Sequence, residues 1–176
     1  MKILLICPTS NQIITFRKAL IEKFQSEGFE VFTIAFDEEN RDIIENRAIK
    51  HFCVHGANRS LNPLKILSLK NNYAKIIEQV KPDIVFTFML KPNIFGVRAA
   101  KKCGIKKIFS MVEGAGDVFI NNGLKWKAIR SVVCKMYRKS FKSANKVFFL
   151  NNDDKEEFVG RKLVKPEQCE VIPGIG

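Results

Sequence analysis

The sequence predicts an α/β fold: a doubly wound parallel sheet of about six to seven strands with helices on both faces. Three observations predict it. Short apolar runs alternate with helical spacings almost throughout. The runs Lys2–Cys7, Ile84–Thr87 and Lys146–Leu150 are continuously apolar, as strands covered on both faces are. No internal repeat or low-complexity linker divides the 176 residues, an ordinary length for one domain with a real core.

The elements follow in order. Lys2–Cys7 is strand one, and Pro8-Thr9-Ser10-Asn11 is the turn after it, with Ser10 or Asn11 as helix N-cap. Phe16, Ala19, Leu20, Lys23 and Phe24 give helical spacing, closed by Gly28. Glu30–Phe36 is strand two, Asp37–Asn46 a short acidic helix, and Ala48–Val54 strand three. A loop through Asn58–Pro63 leads into a long helix, Pro63–Val80. Ile84–Thr87 is strand four. Pro92 suits a helix start, because its fixed φ fits the first turn and its missing N–H is not needed there. That helix runs to Cys103 and is stopped by Gly104; Ile105–Ser110 is strand five. A basic helix covers Leu124–Ser143, Lys146–Leu150 is strand six, Asn152–Gly160 a short helix, and Cys169–Ile172 the last strand. Two loops, Phe88–Lys91 and Val112–Asp117, then leave the carboxyl ends of neighbouring strands, the rim where open α/β sheets bind ligands.

Composition narrows the function classes. Hydrophobic residues are 46% and charged residues 27%, a globular balance. No apolar run approaches the roughly 20 residues of a membrane-spanning helix. Met1–Cys7 has the look of a short signal-peptide core, but Pro8 and polar residues follow at once without a small-residue cleavage site. It reads as a first strand, and the chain as cytosolic. The five cysteines are widely spaced and none forms a CxxC pair, which indicates free thiols and neither zinc nor a disulfide framework. The net charge of +12 favours an anionic partner, whether nucleic acid, membrane or phosphorylated substrate, although a lysine-rich codon bias gives the same balance.

Several residues stand out. The first loop, Cys7–Gln12, has no glycine, so the pyrophosphate cradle of dinucleotide and P-loop folds is absent. Thr9, Ser10 and Asn11 either donate to a polar ligand or simply cap the helix. Arg17 reads first as a solvated helix residue, and otherwise as a cleft residue holding a phosphate or sugar. Glu113 and Asp117 flank Gly114 and Gly116; a carboxylate there acts as a base or accepts from sugar hydroxyls, or the segment is only a turn. His51 and His55 share a strand face but lack a third ligand, so no metal is expected. The helix Leu124–Ser143 carries Lys125, Lys127, Arg130, Lys135, Arg138, Lys139 and Lys142 and no acid. Ile129, Val132, Val133, Met136, Tyr137 and Phe141 form its apolar face, and its basic back suits an anionic bilayer.

A set of motifs in order gives a resemblance: Phe16-Arg17-x-x-Leu20, Arg59-Ser60-Leu61-Asn62-Pro63, Lys81-Pro82-Asp83-Ile84-Val85, Lys91–Gly96 with Ala99-Ala100, Val112–Gly116, and Val171-Ile172-Pro173-Gly174. Together they resemble the N-terminal domain of the family-four retaining glycosyltransferases of the GT-B fold. The nearest group builds capsule, O-antigen or protein-linked glycans on a polyprenyl diphosphate carrier. The resemblance implies a Rossmann-like acceptor-side domain over residues 1–176, facing a donor-binding domain that these residues do not contain. Glu22 and Glu30 have the Glu-x7-Glu spacing of the donor site, but they straddle a helix end and a strand start. The closing Pro173-Gly174-Ile175-Gly176 reads as an interdomain hinge.

The implied site has Glu113 as catalytic residue. Its implied substrate contacts are Thr9, Ser10, Asn11, Arg17, Arg59, Ser60, Asn62, Lys91, Asn93, Gly114 and Gly116. Lys127, Arg130, Lys135, Arg138, Lys139 and Lys142 are implied to face the membrane. Implied partners are a nucleotide-sugar donor, a lipid-linked glycan acceptor and the anionic inner face of the cytoplasmic membrane, with no cofactor. Two departures from the family are visible: the first loop lacks glycine, and Glu113 stands where many relatives carry a histidine after strand five. The alternative is a self-contained basic domain for an anionic partner such as nucleic acid. No helix-turn-helix or RNP-type strand accompanies the charge, so nucleic acid is not expected.

Overall fold

The computed structural model describes residues 1–55, 63–114, 116–121 and 123–173, with residues 63–67 and 117 described by backbone alone. Seven strands form one sheet: β1 (Lys2–Ile6), β2 (Glu30–Ala35), β3 (Lys50–Cys53), β4 (Ile84–Phe88), β5 (Lys107–Val112), β6 (Lys146–Phe149) and β7 (Cys169–Val171). Their order is β3-β2-β1-β4-β5-β6-β7, and every neighbouring pair is parallel. The order reverses between β1 and β4, which places a crevice at their carboxyl ends. Among the described residues the helices are α1 (Ser10–Phe16), α2 (Lys18–Ser26), α3 (Arg41–Glu45), α4 (Pro63–Val80), α5 (Val97–Lys102), α6 (Asp117–Ile120), α7 (Leu124–Phe141) and α8 (Asn152–Gly160).

The period of β1 divides two cores. Leu4 and Ile6 face one side, with Tyr73 and Ile77 of α4, Tyr137 and Phe141 of α7 and Phe158 of α8. Ile3, Leu5 and Cys7 face the other, with Ile13, Ile21 and Ile44 of α1 to α3. Alternation along one buried strand therefore sets both layers. The second face continues under β4 to β6 as the ring cluster Phe86, Phe109 and Phe148, of which Phe109 and Phe148 are only partly buried.

Three departures from the expected elements bear on function. The first helix is two helices, broken at Arg17. The acidic helix shrinks to Arg41–Glu45, because Asp37 turns back to bind the amide of Ser10 (3.1 Å). The helix at Pro92 opens with a π-helical turn, Pro92–Gly96, before α5. There the side chain of Asn93 is fully buried: it donates to the Met111 carbonyl (2.8 Å) and accepts from Thr87 Oγ1 (2.7 Å). Ser110 Oγ joins the same hydroxyl at 2.8 Å. This network pins the widened turn to β4 and β5.

Gly96 lets the turn lie against the sheet. A Cβ there would sit 3.1 Å from both Ile6 Cδ1 and Thr87 Cγ2. Those atoms belong to central strands, so Gly96→Ala is expected to cost about 1–3 kcal/mol by overpacking. Urea unfolding measures it; an unchanged midpoint would mean that β1 and β4 yield freely.

Helix α7 packs a face turned slightly from the expected one. Cys134, Tyr137, Ser140 and Phe141 are buried, and Val132, assigned to the apolar face, is 57% exposed. Ser140 Oγ donates to the Ile94 carbonyl at 2.8 Å, tying α7 to the π turn.

Candidate functional site

The site is built from the carboxyl ends of β1, β4 and β5. Residues Phe16 to Lys18 hold a one-residue pause in the helix path, with Arg17 at φ −110° and ψ 1°. The pause turns the Arg17 side chain inward, where it is fully buried; the solvated-helix reading of Arg17 is therefore corrected. The guanidinium lies 4.2 Å over the Phe88 ring at the end of β4. Its Nη1 donates to the Phe16 carbonyl (3.2 Å) and its Nη2 donates to Glu113 Oε1 in an ion pair. Glu113 stands immediately after β5, its side chain 10% exposed. A buried carboxylate needs such a cation, since an unpaired charge out of water is costly.

Cys7 completes the floor. Burial pushes its thiol up to about 12, against the opposing charge and hydrogen bond of Arg17. The same burial lowers the Arg17 pKa, and the Cys7 sulfur opposes that shift. An arginine titrates so far above neutrality that it stays charged here. Cys7 is a neutral, inert thiol, and Glu113 is the anion that meets Arg17.

Beyond Glu113 the chain leaves the sheet through Gly114 (φ +138°) and Gly116 (φ +75°), both exposed. These conformations favour glycine and leave the backbone beside Glu113 without side-chain cover. Met89, after β4, also takes a positive φ of 67° without being glycine. Strained residues of this kind cluster at ligand sites. Gln12 Nε2 donates to Met89 Sδ at 3.0 Å, while Gln12 Oε1 is buried without a partner among the described residues. Phe16 (53% exposed) and Met89 (38%) present apolar surface on the same rim. The rim thus offers a paired carboxylate, an unused acceptor, bare backbone and two apolar side chains. That set suits a ligand with hydroxyls and a nonpolar portion.

The remaining expected residues divide. Thr9, not Ser10 or Asn11, is the N-cap, accepting from the Gln12 amide at 3.3 Å. Ser10 is fully buried; its hydroxyl donates to Asp37 and accepts from the Asn40 side chain (3.0 Å). Ser10 and Asn93 are therefore structural, and their assignment as substrate contacts is corrected. Asn11 is exposed, and Lys91 is half-buried, where desolvation lowers its pKa. Arg59, Ser60 and Asn62 lie outside the described residues. Sequence reasoning missed Gln12 and Met89 as rim residues; the motif Phe16-Arg17 and the loop after β4 were the available signals.

The basic helix also divides. Arg130 is half-buried, donating Nε to the Val118 carbonyl (2.7 Å) and Nη2 to that of Asn121, so part of its guanidinium holds α6. Lys127, Lys135, Arg138, Lys139 and Lys142 are exposed. No described helix is long and apolar enough to cross a membrane.

His51 and His55 do not share a site. His51 is buried, with Nδ1 2.9 Å from Thr33 Oγ1 and Nε2 3.3 Å from the Asp37 carbonyl. His55 is exposed and lies by Cys53 and Glu38; the three ligand atoms fall within 4.8 Å of one another. Glu38 also pairs with Arg41 at 2.6 Å, so a cation would compete there with a guanidinium. Burial lowers the His51 pKa from its ordinary 6.5, against the bond to Asp37. Because the folded state disfavours the charged ring, the unfolded chain protonates first. The stability from neutral His51 is whole above pH 6.5 and is lost as the pH falls below it. Urea midpoints at about pH 7.5 and about pH 5.5 are expected to fall on acidification, and less so in His51→Gln. An equal fall in both proteins would assign it elsewhere.

Comparisons with known proteins agree with this architecture. The glycosyl transferase 4-like family model matches residues 2–151. The N,N'-diacetylbacillosaminyl-diphospho-undecaprenol alpha-1,3-N-acetylgalactosaminyltransferase of Campylobacter jejuni is 30% identical over 92% of this chain and 43% of its own length. The UDP-Gal:alpha-D-GlcNAc-diphosphoundecaprenol alpha-1,3-galactosyltransferase of Escherichia coli is 24% identical over 86% of this chain and 38% of its own. The chain thus spans about two fifths of the curated relatives it matches. Among solved structures, the UDP-N-acetylglucosamine 2-epimerase of Rickettsia bellii superposes with a TM-score of 0.69 at 14% identity, covering 99% of this chain and 45% of that one, which shows the fold alone. With a Rossmann-like sheet and a family match over most of its length, this chain belongs to the glycosyl transferase 4-like family.

Proposed function

We propose that the chain is the acceptor-side domain of a retaining glycosyltransferase. The enzyme moves a hexosyl or N-acetylhexosaminyl group from a nucleotide-sugar to a polyprenyl-diphosphate-linked glycan, in surface polysaccharide or glycan synthesis. The observation that carries the reading is Glu113, a carboxylate at the end of a central strand, paired with a buried arginine on the ligand rim of a family member. The relatives support the substrate class: the two named above are transferases whose names specify undecaprenyl-diphosphate-linked acceptors.

In this reading the acceptor sugar lies over Gly114 and Gly116 and meets Gln12, Asn11 and Lys91. Glu113 accepts the proton or hydrogen bond of the attacking hydroxyl, and Arg17 keeps the carboxylate ionised and aimed. The donor sugar approaches from a second domain across the cleft. The carrier's nonpolar portion fits the apolar side chains on the rim. Exposed Ile120 (73%) and Leu124 (87%), beside Lys125 and Lys127, suit the bilayer boundary at the cytoplasmic face.

The test is transfer by the whole protein that carries this chain. Labelled nucleotide-sugars are offered with a polyprenyl-diphosphate sugar, and the product's anomeric configuration is read by NMR. A retained linkage on the lipid-linked sugar is expected. Transfer only to a soluble acceptor, or an inverted linkage, would overturn the reading.

A further inference from the structure

A second charged site shares no lining residue with the Glu113 rim. A groove of ≈ 450 Å³ runs between α7 and the end of α8. Five cations line it: Lys127, Arg130, Lys135 and Arg138 from α7, and Arg161 from just after α8; no carboxylate does. Glu157 holds one edge of Arg161 (2.6 Å). The volume is in the range of small-ligand sites.

The arginines are fixed in place. Arg130 is anchored on the carbonyls of Val118 and Asn121, and Arg138 on those of Arg161 and Lys162 (both 3.0 Å). Arg161 is braced by Glu157 and lies 5.7 Å from the Phe119 ring centroid. Each fork keeps further N–H groups beyond those bonds. Cys134, 9% exposed, lines the groove with them: burial raises its thiol pKa, and the charges of Arg161, Arg138 and Arg130 all act against that rise. Three braced guanidiniums and two lysines lining one groove repel one another unless an anion sits among them. Planar forks that are already ordered suit a multiply charged oxyanion such as a phosphoryl group.

We propose that this groove binds a phosphate or diphosphate anion, at a site separate from the transfer rim. The anion comes either from a lipid headgroup or from a soluble phosphate. The site stands independently of the transfer reading, because it needs no sugar chemistry.

The experiment is calorimetric titration of inorganic pyrophosphate into the whole protein at near-physiological salt. One saturable event is expected, weakened about tenfold in Lys127→Gln/Lys135→Gln, which removes two charge-assisted donors on exposed side chains. Ser131→Glu, which puts a carboxylate into the groove, is expected to abolish it. Unchanged melting temperatures show that both variants are folded. The source is read by flotation with phosphatidylcholine vesicles containing phosphatidic acid. If pyrophosphate releases the protein from them, the anion is a headgroup. If pyrophosphate binds at the groove while vesicle binding is unaffected, the anion is soluble. Absence of any binding event sensitive to these variants would overturn the site, as would vesicle binding that survives both of them without a pyrophosphate event.

Discussion

Replacing Arg17 with methionine is expected to destabilise the protein by about 3–5 kcal/mol and to abolish sugar transfer, because it strands the Glu113 carboxylate in a nearly closed site. Methionine keeps much of the volume and the contact with Phe88, so a cavity contributes little. What goes is the only cation the structure places on Glu113 among the described residues. The double variant Arg17→Met/Glu113→Leu separates two explanations. An apolar pair of similar volume usually restores stability, since it removes both desolvation costs. Stability is therefore expected to recover while activity stays lost. Recovery of both would reduce the pair to a packing device.

Glu113→Gln is expected to lower kcat by about 10²–10⁴-fold with KM nearly unchanged, the signature of a lost proton acceptor. Glutamine keeps the shape and still accepts a hydrogen bond from Arg17, so the fold should survive. A role confined to holding the acceptor would appear in KM. A small effect on both parameters would remove Glu113 from the chemistry. The two variants probe one unit and their effects are not additive.

The strands were legible because β1 and β4 are buried on both faces and leave unbroken apolar runs, and β6 keeps such a run with one face buried and the other half-buried. Helices α4 and α8 match their expected limits, and Asn151 caps α8 by accepting from the Asp154 amide at 2.7 Å. Strand five runs Lys107–Val112, two residues later than the spacing predicts, and that shift brings Glu113 to the first residue after the strand. The break at Arg17 was invisible, because Phe16, Ala19, Leu20 and Phe24 keep helical spacing straight across it. At the break Arg17 pairs with a carboxylate 96 residues away, and no local propensity encodes that pairing. Ser10 and Asn93 misled for the same reason. Small polar residues beside loops look like ligand contacts until Asp37, Thr87 and Met111 are seen to take their hydrogen bonds. Arg130 was one basic residue among many until α6 folded back to meet it.

The most direct measurement is photo-crosslinking of the whole protein with a polyprenyl-diphosphate sugar that carries a photoreactive group on the sugar. Adducts are then mapped by peptide mass spectrometry. The account predicts adducts on the carboxyl rim, in the peptides containing Met89–Lys91 and Glu113–Gly116, reduced by competing unlabelled acceptor. Specific adducts confined to the opposite end of the sheet, around Lys81–Asp83 and Gly104–Lys106, would contradict it.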